Sequence, residues 1–281
     1  MRKVMTFVVL FAAVLAMLAA GNVAAQEREA DPESVIRAIL GALDAGDAEK
    51  ALAYADEDAV IVLLPPALVG GNSTVVGKAA LRDWWGMIAQ DNSEHKLWDF
   101  NVVGNKATWK ATIWGDAFRN LGMTAPLEAD CVGIVEDGLL KSYTWKATNE
   151  SMARMEGAVA QQAIKAAAAR YMEELWNQGD LSVADELLAD DFVSHNFPAG
   201  DREALKGAVA GFRAENPNAY FTYDDITVAG DRVFIGSTMM VRPEGAAADA
   251  EGEPAGGPMV LILGVKDGKF TDRWLFMSPP E

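Results

Sequence analysis

The chain has 281 residues, a formal net charge of −17 at pH 7 and a single cysteine. Such an acidic surface repels phosphate backbones, so we expect no nucleic acid among its partners. With Cys131 alone, no intramolecular disulfide can form, and stability has to come from packed cores. Cys131 lies in an alternating apolar stretch, where we expect it to be a small buried residue.

The first 25 residues have the pattern of a secretory signal. Arg2 and Lys3 precede an apolar run over residues 4–20, and Val23–Ala25 supplies small residues for a cleavage site. The run is short for a membrane span, which takes about 20 residues. We therefore predict cleavage after Ala25 and a periplasmic or secreted protein with no stable membrane insertion.

The first half of the remaining chain shows helical spacing of apolar residues and then period-two alternation. Asp31 and Pro32 are typical of a helix start. Helices are predicted at 33–43, 48–54 and 78–89, and strands at 59–64, 96–103, 106–117, 125–135 and 139–148.

The second half follows the same plan. Helices are predicted at 163–177, 181–188 and 201–214, and strands at 191–195, 219–228, 232–241, 258–265 and 269–277. Residues 243–257, rich in Ala, Gly, Glu and Pro, have no apolar periodicity and are predicted to be a flexible hairpin loop. The Ala-rich stretch 158–169 predicts a nearly continuous helical connection between the halves.

Short features recur in the same order at a separation of about 130 residues. The Gly46–Asp47 step recurs at Gly179–Asp180, and Trp145 recurs at Trp274. We therefore predict two tandem copies of one α+β domain, the first over residues 31–150 and the second over residues 151–281.

The second copy resembles the SnoaL-like domains of the nuclear transport factor 2 superfamily. The segments that carry this resemblance are Leu175–Leu181, Ala189–Asn196, Gly200 with Glu203 and Leu205, Ala229–Val233, and Lys266–Lys269 with Trp274. The first copy is similar more weakly, through its Gly-Asp step, its hairpin turns and Ser142–Trp145.

The resemblance implies two cone-shaped α+β domains, each with three helices packed on a curved antiparallel sheet. It also implies that the sheet wraps around the long first helix and that a pocket with aromatic walls opens at the wide end. Family members include cyclases, dehydratases, isomerases and non-catalytic ligand or partner domains. The fold alone therefore does not decide the function.

His195 is the first catalytic candidate, since it follows a hydrophobic strand and the resemblance implies a position near the pocket. Its titration range suits general acid–base catalysis, and the alternative is a structural histidine. Related cyclases carry an acid four positions after the late tryptophan, where this chain has Ser278. Asp272, in phase with Trp274 on the predicted strand, is the substitute acid, unless it is an exposed strand residue.

The first copy offers further acids. Asp116 and Asp130 fall on predicted strands. In a cavity with aromatic walls either one would have a raised pKa and could act as a base, and the alternative is an exposed charge. We expect His95 to face solvent.

Aromatic residues predict the ligand site. Six of the eight tryptophans fall in the first copy. The residues predicted to line pockets for an apolar or planar ligand are Trp109, Trp114, Tyr143 and Trp145 in the first copy and Tyr171, Trp176 and Trp274 in the second. The alternative for these residues is ordinary core packing.

The sequence has no phosphate-binding loop, no HExxH and no Ser-His-Asp elbow, and we expect neither a cofactor nor a metal. The leading hypothesis is an exported tandem SnoaL-like protein with a pocket for a small, largely apolar molecule. One alternative is an enzyme of the dehydratase, isomerase or polyketide-cyclase type that uses His195 and a pocket carboxylate. Another is a non-catalytic interaction module, with a homodimer formed through a sheet face.

Overall fold

The computed structural model describes residues 31–64, 73–247 and 250–278. The chain divides into two compact units between Glu156 and Gly157. The predicted domain boundary, after residue 150, lies inside the helix Asn149–Arg170 that crosses this division. The predicted signal lies outside the described residues and stays a prediction.

The first unit alternates helices and strands before ending in two long hairpins. Its elements are α1 (Pro32–Asp44), α2 (Ala48–Leu52), β1 (Ala55–Leu64), β2 (Thr74–Val76), α3 (Lys78–Gln90), β3 (Glu94–Val103), β4 (Lys106–Trp114), α4 (Asp116–Asn120), β5 (Leu127–Glu136) and β6 (Leu139–Ala147).

The second unit follows a similar order. Its elements are α5 (Asn149–Arg170), a π-helical segment (Tyr171–Asn177), α6 (Ser182–Leu187), β7 (Leu188–Ser194), α7 (Arg202–Glu215), β8 (Ala219–Ala229), β9 (Arg232–Val241), β10 (Glu253–Pro254), β11 (Met259–Lys266) and β12 (Lys269–Met277). The helical link predicted between the halves is present as α5.

Each unit has one six-stranded sheet, in the order β2-β1-β6-β5-β4-β3 in the first unit and β10-β9-β11-β12-β7, with β8 also on β9, in the second. The predicted α+β class is confirmed. All pairings between these strands are antiparallel except β1 with β6 and β7 with β12, which are parallel. The first strand of each unit therefore pairs with the last, and this pairing needs the long intervening connection that parallel neighbours require.

The recurring Gly-Asp step has a physical cause in both units. Gly46 and Gly179 take positive φ values of 77° and 76°, which only glycine adopts without steric cost. In the first unit Asp47 then caps α2, since the backbone N–H of Lys50 donates to Asp47 Oδ1 at 2.9 Å. In the second unit Asp180 stands two residues before α6, and its Oδ1 accepts the Ser182 N–H at 3.0 Å. In both units the step lies in the short turn between two helical segments.

The long first helix of each unit packs its apolar face into the core. In α1 the buried residues include Val35, Ile36, Ile39, Leu40 and Leu43, which are the positions that the helical spacing predicts. Full burial of such a side chain contributes about 1.5–3 kcal/mol.

The equivalent helical segment of the second unit is π-helical where it meets the sheet. Tyr171, Met172, Leu175 and Trp176 are buried there. The backbone N–H of Gln178 donates to the carbonyl of Glu173, five residues back, at 2.9 Å. This wider turn sets which side chains face the sheet.

Two predicted elements differ from the structure. β4 ends at Trp114, and Asp116 and Ala117 belong to α4 instead of extending the strand. The cause is Asp91, whose Oδ1 accepts the Ala117 N–H at 2.8 Å and so starts a helix there. In the predicted loop 243–257, the short strand β10 pairs with β9.

Gly115, between β4 and α4, leaves room for the Asp91 carboxylate. A Cβ at this position would lie 2.0 Å from Asp91 Oδ2 and 2.9 Å from Ser93 Oγ. Gly115→Ala should therefore lower the free energy of unfolding by about 1–3 kcal/mol, measured by urea denaturation. Gly41→Ala is the control, because nothing lies within 4 Å of its Cβ and alanine should raise stability by about 0.5–1 kcal/mol in a helix. Equal stability of Gly115→Ala and the unmutated protein would contradict this account.

Candidate functional site

A cavity of about 320 Å³ lies in the first unit, between α1, α3, α4 and the inner face of the sheet. We call it the first cavity. Its aliphatic wall comes mainly from α1, through Ile36, Ile39, Leu40 and Leu43. Its aromatic wall consists of Trp84, Trp85, Trp109, Phe118, Tyr143 and Trp145.

A row of stacked rings runs across the sheet and into this aromatic wall. Phe100 stacks on Trp109 with 5.5 Å between ring centroids, and Trp109 stacks on Tyr143 at 5.4 Å. Trp109 and Trp145 also flank Cys131 in register on neighbouring strands. Cross-strand aromatic contacts of this kind hold each ring in one orientation. Of the four residues predicted to line a pocket here, Trp109, Tyr143 and Trp145 lie on the cavity wall.

Burial keeps the Tyr143 hydroxyl of this wall neutral, and with it the adjacent Cys131 thiol, which does not line the cavity. The Tyr143 hydroxyl lies 3.7 Å from Cys131 Sγ. Burial raises the pKa of the Cys131 thiol to about 12 and raises the pKa of Tyr143 well above its usual value. Neither group ionises near neutral pH, so this part of the wall offers hydrogen bonds and not a charge.

His95 is the polar group that the sequence prediction misplaced. Its side chain is only 7% exposed and lines the first cavity, so the expectation of a solvent-facing histidine is wrong. Nδ1 lies 2.5 Å from Asp44 Oδ1, and the His95 backbone N–H donates to Asp44 Oδ2 at 3.1 Å. Asp44 ends α1 and His95 stands near the start of β3, so two elements hold the pair together.

The hydrogen bond to Asp44 determines the chemistry of the imidazole. A carboxylate accepts the Nδ1 proton, which leaves the Nε2 lone pair of the neutral ring as an acceptor. Nε2 of His95 has no hydrogen-bond partner among the residues that the structure describes. Asp91 and Ser93 also line this cavity, and the Ser93 hydroxyl donates to Asp91 Oδ2 at 3.2 Å.

The predicted acids of the first copy lie elsewhere. Asp116 sits on α4, where hydrogen bonds from Asn92 and then Arg119 lower its pKa instead of raising it. Asp130 is exposed on β5, opposite Lys110 and Lys146. Neither aspartate lines the cavity.

Trp114, also predicted to line the pocket, packs instead on α4. Its ring lies 6.5 Å from that of Phe118 and 5.4 Å from the Arg119 guanidinium. The preceding residue, Ile113, lines the cavity. Because side chains alternate along a strand, Trp114 must point to the other face.

The second unit contains its own cavity, of about 420 Å³, which we call the second cavity. Trp176 lies on its wall and meets the rings of Phe212 and Phe221 edge to face, at 6.1 and 5.8 Å. Asn177 anchors this group, because its side-chain amide accepts from the Phe221 N–H at 2.7 Å and donates to the Phe221 carbonyl at 3.0 Å. The remaining wall is mostly Met, Leu and Phe, with Ser237 and Arg273 as its polar side chains.

The other aromatic residues predicted for a second pocket lie away from the cavity. Tyr171 is fully buried in the core, with its ring edge to face against Phe270 at 6.0 Å. Trp274 faces the outside of the sheet, since Arg273 before it and Leu275 after it line the cavity. Of the three predicted residues, Trp176 alone is on the wall.

His195 stacks on Trp274 on the same outer face, with 4.2 Å between ring centroids. The Arg232 guanidinium lies 5.1 Å from the Trp274 ring and donates to Asp272 Oδ1 at 3.0 Å. Asp272 and Trp274 do point to the same face of the sheet, as predicted, but it is the outer face. The proposed pair of His195 and Asp272 is therefore outside the second cavity.

The outer face carries other exposed apolar side chains, among them Phe234, Val260 and Phe276. The predicted homodimer through a sheet face stays a prediction. Within the described ranges no group of three or more His, Cys, Asp or Glu side chains could hold a metal ion. No helix in that part of the chain is long and apolar enough to cross a membrane.

The strand patterns explain why sequence reasoning missed the polar groups of both cavities. His95 is flanked by Glu94 and Lys96, so its neighbours look like a solvated strand end. Arg273 precedes Trp274 and Leu275 in a stretch where both alternating sets of side chains contain large apolar residues, so either set could face the core. The register of β12 with β7 decides that phase, and it becomes visible only in three dimensions.

Comparisons with known proteins support the family assignment of the second unit. Residues 168–273 match the SnoaL-like domain family, as the resemblance predicted. The second unit is thus a SnoaL-like domain. A comparison with curated proteins gives no match.

Several solved structures are similar to part of the chain. A candidate polyketide cyclase from Bacillus cereus ATCC 10987 is 26% identical over 43% of this chain and 76% of that chain, with a TM-score of 0.36. IdmH, a candidate polyketide cyclase from Streptomyces antibioticus, is 26% identical over 40% and 90%, with a TM-score of 0.32. A candidate ketosteroid isomerase from Kribbella flavida DSM 17836 is 16% identical over 42% and 78%, with a TM-score of 0.33.

The buried thiol of Cys131 tests the packing of β5 between the strands that carry Trp109 and Trp145. With a pKa of about 12, the thiolate fraction of Cys131 at pH 8 is on the order of a thousandfold lower than that of an ordinary cysteine. We expect iodoacetamide to alkylate Cys131 slowly in the folded protein and rapidly in about 6 M guanidinium, which unfolds most domains, as followed by mass spectrometry. Alkylation as fast in the folded protein as in denaturant would contradict the burial of Cys131.

Proposed function

We propose that this chain is an exported protein that binds small molecules, and that its first cavity holds a small, largely apolar ligand. The observation that carries the proposal is the cavity itself. Its volume of about 320 Å³ lies within the range of ligand pockets, roughly 300–1,000 Å³. Apolar walls with a few polar groups are the composition that such pockets share.

The wall also indicates the shape of the ligand. The rings of Trp109 and Tyr143, both on the wall, are nearly parallel, with 10° between their planes. Phe100, outside the lining, continues the stack on Trp109 with 6° between planes. The polar side chains of the lining, His95, Asp91 and Ser93, are close in sequence and come from the start of β3 and the turn before it. A planar apolar body with one polar end fits this distribution.

A neutral fluorescent probe, N-phenyl-1-naphthylamine, tests binding. Ala117→Trp places an indole on the exposed side of the first cavity wall and should weaken binding at this site at least tenfold, about 1.4 kcal/mol. The matched control is Ala80→Trp, on an exposed position of α3 outside the lining. Ala208→Trp, in the second cavity wall, identifies any probe bound there.

The proposal fails if the probe does not bind, or if Ala117→Trp and Ala80→Trp bind it equally. Circular dichroism of both variants verifies that the first unit remains folded. A loss of binding in Ala208→Trp alone would move the site to the second cavity.

The His95–Asp44 pair favours a second candidate function, proton transfer of the isomerase or dehydratase type. Nε2 of His95 can take a proton from a carbon next to a ligand carbonyl, and the Asp44 carboxylate then stabilises the imidazolium. Return of that proton to a different carbon completes an isomerisation. Trp109 Nε1, buried in the same wall and without a partner among the described residues, can donate to the carbonyl oxygen.

Hydrogen–deuterium exchange next to the carbonyl of 2-indanone, followed by NMR in D₂O, measures proton abstraction directly. We expect His95→Gln to lower the exchange rate at least about a hundredfold, the size of effect typical of a lost general base. Asp44→Asn should lower it less, because the imidazole keeps its lone pair but loses the carboxylate that stabilises the imidazolium. The chain has two histidines, so His195→Gln is the matched control and should keep the full rate. A loss in His195→Gln with normal exchange in His95→Gln would contradict this assignment.

A further inference from the structure

Arg273 brings a positive charge into the second cavity. The residue is 2% exposed and belongs to the cavity wall. It stands on β12, and its guanidinium lies 5.5 Å from the centre of the Trp176 ring. A buried cation costs several kcal/mol unless an opposite charge and hydrogen bonds compensate for it.

The protein satisfies only one side of this guanidinium. Nη1 donates to Ser194 Oγ at 3.1 Å, to the Asn196 carbonyl at 3.0 Å and to the Phe197 carbonyl at 2.9 Å. All three acceptors are neutral, and none of the described carboxylates forms an ion pair with Arg273. The charge is held in position without being neutralised.

The other edge of the guanidinium is unused. Nε is buried and has no hydrogen-bond partner among the described residues, and the hydrogen bonds that the Arg273 side chain makes to those residues all come from Nη1, which leaves Nη2 without an acceptor among them. Nε–H and Nη2–H point in the same direction, and two parallel N–H groups are the arrangement that binds both oxygens of a carboxylate. This edge therefore supplies the two donors of a carboxylate-binding site, and a ligand would supply the carboxylate.

The rest of the second cavity is apolar. Met172, Trp176, Phe221, Met239 and Leu261 contribute to its wall. Ser237 adds a hydroxyl that is buried without a partner among the described residues. A ligand that fills this space needs an apolar body, and a ligand that compensates Arg273 needs one negative charge.

We propose that the second cavity binds a small apolar carboxylic acid as its anion, with the carboxylate on the Nε–Nη2 edge of Arg273. Arg273 is the single basic residue of the described cavity wall, and a monoanion matches one guanidinium. A phosphate ester with its second charge would require more donors. This proposal does not depend on a ligand in the first cavity, where Asp91 and the Asp44 carboxylate behind His95 disfavour an anion.

Octanoate and octanamide test the proposal, because they have the same apolar body and differ in charge at the head. By isothermal titration calorimetry near neutral pH, the full chain should bind octanoate at least tenfold tighter than octanamide. Arg273→Gln should abolish this preference and leave octanamide binding unchanged. Arg232→Gln is the matched control, an arginine on the outer face of the same sheet, and should keep the preference.

Blocking variants assign the binding to a cavity. Ala208→Trp, in the second cavity wall, should remove octanoate binding, whereas Ala210→Trp, exposed on the same helix α7, should retain it. Ala117→Trp in the first cavity should leave octanoate binding unchanged, so failure of the first-cavity proposal would not affect this test.

Three outcomes overturn the proposal: equal affinity for octanoate and octanamide, a preference that persists in Arg273→Gln, or octanoate binding that Ala117→Trp abolishes and Ala208→Trp does not. Circular dichroism reports whether Arg273→Gln is folded. If it is not, the octanoate-to-octanamide ratio of the unmutated protein, with Ala208→Trp and Ala210→Trp, decides the question.

Discussion

The parallel pairing of the first strand of each unit with its last strand determines what faces each cavity. β1 runs beside β6 and β7 beside β12, and in both pairs the register shifts once along the strand. Because side chains alternate along a strand, one shift changes which residues face inward. In the second unit this pairing continues one residue past β7, where the His195 N–H donates to the Arg273 carbonyl at 2.9 Å. It leaves Arg273 inside and both Trp274 and His195 outside.

The two units use one architecture to present opposite electrostatics. In the first cavity a histidine bound to a carboxylate stands near Asp91, among tryptophans. In the second cavity a lone guanidinium stands among methionine, leucine and phenylalanine side chains. The difference comes from a few positions on equivalent strands and helices, while the elements that hold those positions remain alike. A neutral planar ligand in one unit and an anionic ligand in the other are consistent with this division.

Local physics made most of the fold predictable. Helix starts at Asp31 and Asp201, the apolar stripe of α1 and the hairpin turn at Asp137 and Gly138 all follow from short-range rules. The end of β4 was not predictable in this way, because it depends on a hydrogen bond from Ala117 to the distant Asp91.

The site residues show the same contrast between local patterns, which the sequence reveals, and long-range contacts, which it does not. Trp109, Tyr143 and Trp145 alternate on strands with clear phase, and the structure places all three on a cavity wall. His195 and Asp272 were chosen for chemistry without knowledge of register, and the outer face holds both. His95 needed Asp44, 51 residues away, to be recognised. Long-range register and partners are the information that a single sequence does not contain.

A pair of hydrogen bonds between the Asn196 side chain and the Leu275 backbone determines which part of the second unit is suited to engineering. The Asn196 side-chain amide accepts the Leu275 N–H at 2.7 Å and donates to the Leu275 carbonyl at 2.9 Å. It thus makes the two hydrogen bonds that the backbone of a neighbouring strand would make, although β7 has already ended. The backbone is thereby released from the sheet while the edge of β12 stays paired. The next two residues, Phe197 and Pro198, lie on the wall of the second cavity and form its roof, and the Phe197 backbone carbonyl also accepts a hydrogen bond from Arg273. Engineering of ligand preference would begin at this roof and leave Asn196 in place.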